Sequence, residues 1–114
     1  MDAKIIAGKI NKEDLAKLAQ DSFGDIVKAV VDVEKSIMAI GGELHSDEES
    51  LLLENGSKQE NLWGINIYTE KPESEWIEFD SMINIRPRQG NRSRSVEDAF
   101  LREKIIHIVS SLVE

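Results

Sequence analysis

Residues 62–68 and 76–86 constrain the fold more than any other feature of this chain. Each alternates apolar with polar side chains, and a polar stretch, 69–75, separates them. A period of two sends successive side chains to opposite faces of a strand, so two such runs around a turn-rich connection predict a β-hairpin. Setting Tyr68 opposite Trp76 aligns Ile67 with Ile77, Ile65 with Phe79 and Asn66 with Glu78, and the apolar and polar sets then each keep to one face. The predicted apolar face holds Ile65, Ile67, Ile77, Phe79, Ile83 and Ile85. The other carries Asn66, Tyr68, Trp76, Glu78, Asp80, Met82, Asn84 and Arg86, a mixture of rings, acids, amides and a base. Such alternation ordinarily marks the solvated side of a half-buried sheet, so this face is a candidate surface.

The remaining elements follow from caps and periodicity. Residues 4–8 read as a first strand, and Asn11 is a good N-cap for a helix with Glu13 and Asp14 in its first turn and Gly24 past its end. Residues 26–40 fit either a helix face or a hairpin. The hairpin is preferred because Val27, Ala29, Val31 and Val33 alternate with charged residues, and a turn at Lys35-Ser36 sets Val33 opposite Met38 and Val31 opposite Ile40. After Gly41-Gly42, Ser46 is the expected N-cap of a short helix over 47–54, with Glu49 in the capping-box position and Asn55-Gly56 as its stop. Residues 86–94, with Pro87 and Gly90-Asn91, predict a loop. Ser95 is the expected cap of a final helix whose Leu101, Ile105, Ile108, Val109 and Leu112 form a core-facing stripe. This order predicts an α+β fold: an antiparallel or mixed sheet of four to five strands, with helices packed on one face, in a single domain spanning 1–114.

Composition narrows the function classes. With 114 residues, 40% of them hydrophobic, the chain can bury a core without crosslinks. Cysteine is absent, which removes disulfides, thiolate nucleophiles and sulfur-ligated zinc, and fits a reducing compartment. The N-terminal residues lack the basic and apolar regions of a secretory signal, and no apolar run reaches membrane-spanning length, so a cytoplasmic protein with no membrane partner is expected. A net charge of −8 argues against nucleic acid as a partner.

Charge is unevenly distributed. Arg86, Arg88, Arg92 and Arg94 cluster in the 86–94 loop, whereas 43–54 holds Glu43, Asp47, Glu48, Glu49 and Glu54 without a Lys or Arg. Guanidinium groups beside the amides of Asn66 and Asn84 suit a carboxylate, a phosphate or an acidic protein segment. Glu97 and Asp98 oppose that reading by complementing the start of the last helix. The arginines can instead pair with the acidic segment, within the chain or across a homo-oligomer. Glu43, His45 and Asp47 stand two residues apart, so on an extended segment all three leave by one face and suit a divalent metal. No other cofactor is expected. No nucleophile motif and no glycine-rich phosphate loop is present.

Three stretches combine in a recognisable way: Gly41-Gly42-Glu43-Leu44-His45-Ser46-Asp47-Glu48-Glu49, then Leu62-Trp63-Gly64-Ile65-Asn66-Ile67-Tyr68, then Ile83-Asn84-Ile85-Arg86-Pro87 with Gly90-Asn91-Arg92-Ser93. Together they resemble an uncharacterised family of small, stand-alone prokaryotic domains. The resemblance implies a single-domain prokaryotic protein and no mechanism. It also implies signature positions at Glu43, His45, Asp47, Trp63, Asn66, Asn84, Arg86, Asn91 and Arg92. Two functional expectations remain. The first is a cytosolic binding module that recognises an anionic ligand or acidic partner through the polar sheet face and the arginine loop. The second is a metal-dependent hydrolase or nuclease-like enzyme using Glu43, His45 and Asp47, with Asp80 as a further candidate ligand.

Overall fold

The computed structural model describes residues 2–114. Among these, the regular elements are β1 (Lys4–Ile6), α1 (Lys12–Asp21), β2 (Ile26–Asp32), β3 (Ile37–Ile40), α2 (His45–Glu54), β4 (Leu62–Tyr68), β5 (Ile77–Glu78) and α3 (Ala99–Leu112). The strands form one antiparallel sheet in the order β1-β3-β2-β4-β5, the α+β architecture expected from the sequence.

Both faces of this sheet are covered. Val27, Ala29 and Val31 of β2 and Trp63, Ile65 and Ile67 of β4 pack with Leu15 and Ala19 of α1 and with Ile105, Ile108, Val109 and Leu112 of α3. The intervening positions, Val30, Ala39 and Leu62, pack with Leu52 of α2. The expectation of helices on one face therefore holds for α1 and α3, while α2 takes the opposite face. The central strands explain this: β2 is apolar at both parities through Ala29, Val30 and Val31, and a strand buried on both sides needs cover on both.

Residues 26–40 are a hairpin, displaced by two positions from the expected register. Val31 faces Met38 and Asp32 faces Ile37. The turn is built by Asp32, whose Oδ1 accepts the N–H groups of Glu34 and Lys35 at 2.9 Å each, while Ser36 takes the left-handed region at φ 56°. A four-residue turn thus replaces the unfavourable Lys35-Ser36 pair. A shift of two leaves every side chain on its expected face.

The second hairpin keeps its predicted register, with Ile67 opposite Ile77 and Asn66 opposite Glu78, but its ladder stops at Glu78. Gly64 supplies the reason. A Cβ there would lie 2.6 Å from Ser81, so the missing side chain lets 81–83 cross directly over β4. Met82–Asn84 forms a 3₁₀ turn in that crossing, and the Asn84 side chain bonds both the N–H and the carbonyl of Gly64, at 2.8 and 2.9 Å. The long polar strand face expected over 76–86 is consequently not formed. Trp76 lies in the core with residues of α1 and α3, its Nε1 donating to the Lys71 carbonyl.

Asn11 caps α1 as expected, accepting the Asp14 N–H at 2.8 Å. The two serine caps are replaced. Helix α2 begins at His45 after Leu44, without a side-chain cap, and Asp98 caps α3 by accepting the Phe100 and Leu101 N–H groups. Ser95 instead receives a hydrogen bond from Arg102 on its hydroxyl. Among the described residues no helix is long and apolar enough to cross a membrane.

Candidate functional site

On the sheet face covered by α2, Lys28 of β2 stands directly opposite Asn66 of β4. The first residues of α2, His45 and Ser46, and the 81–83 crossing border the space beside this pair. What remains is a depression of about 330 Å³, lined by Lys28, His45, Asn66, Asp80, Ser81 and Arg94 together with Leu44, Ser46, Met82 and Ile83.

The polar groups have defined roles. Asn66 is nine-tenths buried; its Nδ2 donates to Glu78 Oε1 at 2.9 Å and to the Asp80 carbonyl at 3.3 Å. Both partners can only accept, which fixes the amide orientation and leaves the buried Oδ1 without a partner. His45 Nε2 lies 2.8 Å from the Ile65 carbonyl oxygen. A carbonyl cannot donate, so Nε2 carries the proton and the neutral ring presents Nδ1 as an acceptor. Burial pushes the His45 pKa below its ordinary value; Lys28 and Arg94 act in the same direction, and the Ile65 carbonyl and Asp80 act against it. Arg94 pairs through Nε with Asp80 Oδ1 at 2.6 Å, and its terminal nitrogens are not engaged by any of the described residues. Lys28 forms no ion pair among the described residues; its ammonium stands 5.1 Å from the centre of the Phe23 ring. The lining thus holds two cations and one carboxylate in a chain whose net charge is −8.

The predicted site residues divide. Arg94, Asn66 and His45 come together here. Arg86 does not join them: it donates to the carbonyls of Ile83 (2.9 Å), Gln59 (2.7 Å) and Leu62, stacks 4.6 Å over the Trp63 ring and lies 3.8 Å from Glu49. It is a clamp between loops. Asn84 is fully buried in its bonds to Gly64 and the Arg94 carbonyl, and Asn91 holds the loop through the carbonyls of Asn84, Ser93 and Ser95. Arg88 and Arg92 are exposed and do not line the depression.

The Glu43, His45 and Asp47 trio is dispersed. Because the helix starts at His45, the expected period of two becomes 3.6, and the side chains diverge. Glu43 lines an adjoining depression, His45 this one, and Asp47 a third beside Asp2 and Glu54. Among the described residues no group of three or more His, Asp, Glu or Cys side chains is placed to hold a metal ion. Lys28 was missed as a site residue. Its position on the polar parity of β2 was visible, but its pairing with Asn66 depends on β2 lying beside β4.

A family model described as "Protein of unknown function (DUF5674)" matches residues 4–112. The chain belongs to this family. That membership agrees with the small, uncharacterised domain its motifs resemble. Comparison with curated proteins and with solved structures finds no match.

Proposed function

We propose that this protein is a binding module for a small anionic ligand, held in the depression between Lys28, His45, Asn66 and Arg94. One observation carries the reading: two cationic side chains with donors left over from internal bonding converge on a single concavity of about 330 Å³. That volume suits a small molecule, and an anion there meets the ammonium of Lys28 and the terminal nitrogens of Arg94. His45, which lines the depression and keeps Nδ1 as an acceptor, favours a ligand that also brings a hydroxyl or amine hydrogen. A cytoplasmic, prokaryotic setting is supported by the cysteine-free composition and by the family resemblance. The metal-hydrolase alternative lacks support from Glu43, His45 and Asp47, which open onto three different depressions.

Titration with inorganic phosphate, followed by amide NMR shifts and thermal stability, tests the proposal. Resonances of Lys28, His45, Asn66 and Arg94 should move together, and Arg94→Ala and Lys28→Ala should each weaken binding about tenfold, the loss of one charge-assisted contact. Shifts confined to exposed Arg88 and Arg92, or none at all, would refute it.

A further inference from the structure

The depression does not end at Lys28. A second concavity of about 400 Å³ shares Lys28 and Leu44 with it and continues along Phe23, Gly41 and Gly42. Its walls differ in character. Phe23 lies beyond the end of α1 and is 47% exposed; Leu44 is 55% exposed. The glycine wall presents backbone only, and at Gly42 this is enforced, since a Cβ would stand 2.9 Å from Glu48 Cγ. Asp21 and Glu43 also line this concavity, so it is unsuited to a second anionic group.

We infer that the two concavities form one elongated site for a small molecule that is anionic at one end only and carries a flat apolar, aromatic body at the other. The inference rests on the anion-binding reading above. The anionic group sits at the Lys28 and Arg94 end, where the cations are. The body lies along Phe23 and Leu44, whose exposed apolar surface it removes from water. Lys28, placed 5.1 Å from the Phe23 ring centre and lining both concavities, marks the junction. Charge complementarity orients the ligand: reversing it would set its anion against Asp21 and Glu43.

Parallel NMR titrations with inorganic phosphate, phenyl phosphate and pyrophosphate decide the matter. Phenyl phosphate is expected to bind at least about tenfold more tightly than phosphate, the gain from burying most of one ring. Pyrophosphate should show no comparable gain. Phe23→Ala and Leu44→Ala, both at exposed positions, should each reduce the phenyl phosphate advantage by severalfold and leave phosphate affinity within twofold of the original. Equal affinities for phosphate and phenyl phosphate would overturn the inference while the anion site stands. Absence of binding by all three would remove the anion site and the inference together. If Phe23→Ala instead changes only the sedimentation of the free protein, the apolar surface serves a second copy of the chain and the inference fails.

Discussion

Glu48 offers the sharpest quantitative test of the structure. It sits in the first turn of α2 with no solvent exposure, its Oε2 accepting the Gly42 N–H at 3.0 Å and its Oε1 without a partner. Burial pushes its pKa from 4.5 up to about 9, with only the Gly42 hydrogen bond and Lys28 acting appreciably against the shift. Folding therefore takes up a proton between about pH 4.5 and about pH 9, where the unfolded carboxyl is ionised and the folded one is not. The stability associated with the protonated form is fully present below the unfolded value and is lost progressively as pH rises from about 4.5 to about 9. Between pH 4.5 and pH 7 this amounts to about 3 kcal/mol, taking about 1.4 kcal/mol per pH unit. Glu48→Gln retains an oxygen for the Gly42 N–H and does not ionise. Urea unfolding should show the two proteins within about 1 kcal/mol of each other near pH 4.5, with the variant more stable by about 3 kcal/mol at pH 7. A constant difference across that range would refute the buried, neutral carboxyl.

Three further outcomes are expected. Gly64→Ala should destabilise the fold by about 1–3 kcal/mol in thermal unfolding, because its Cβ would stand 2.6 Å from Ser81 and push the 81–83 crossing off β4; an unchanged midpoint would contradict that packing. Arg86→Ala should cost about 2–4 kcal/mol in chemical denaturation by leaving carbonyls of Gln59, Leu62 and Ile83 without their donor and removing the stack on Trp63. Arg86→Lys should not restore the loss, and full recovery would rule out the clamp. The His45 imidazole should titrate below its ordinary 6.5 and show the Nε2–H tautomer by nitrogen NMR; titration at or above 6.5 would be incompatible with its burial against Ile65.

Much of the fold was legible because strand parity and helix capping are local. Ile67 and Asn66 found their predicted partners, and the two-residue error around Lys35-Ser36 preserved every face. The path of 79–86 was not legible, since Met82, Asn84 and Arg86 satisfy the alternation of a strand as well as they satisfy a loop, whereas the loop over 86–94 was read from Pro87 and Gly90-Asn91. One signal was present: a glycine inside the apolar strand 62–68 marks a place where another backbone comes close. Gly64 serves that purpose, and recognising it would have ended β5 early. The cover of the second face was also foreshadowed, by Val30 breaking the polar parity of β2.

The candidate site was only half legible, because proximity along a loop says little about which donors stay available. Arg86 and Arg94 share one loop and are chemically identical, yet their hydrogen-bond accounts differ. Arg86 has about five N–H donors, and the acceptors around it are Ile83, Gln59, Leu62 and the Gln89 side chain, which leaves almost nothing for a ligand. Among the described residues the Arg94 guanidinium meets Asp80 alone, so its remaining donors stay open. The difference arises from the 59–62 connection passing beside one guanidinium and not the other, a fact of tertiary structure. Lys28 and Asn66, far apart in the sequence, are joined in the same way by cross-strand pairing. The proposed anion site rests on which donors the fold leaves unsatisfied, and by that criterion Arg94 and Lys28 qualify where Arg86, the most conspicuous arginine in the motif, does not.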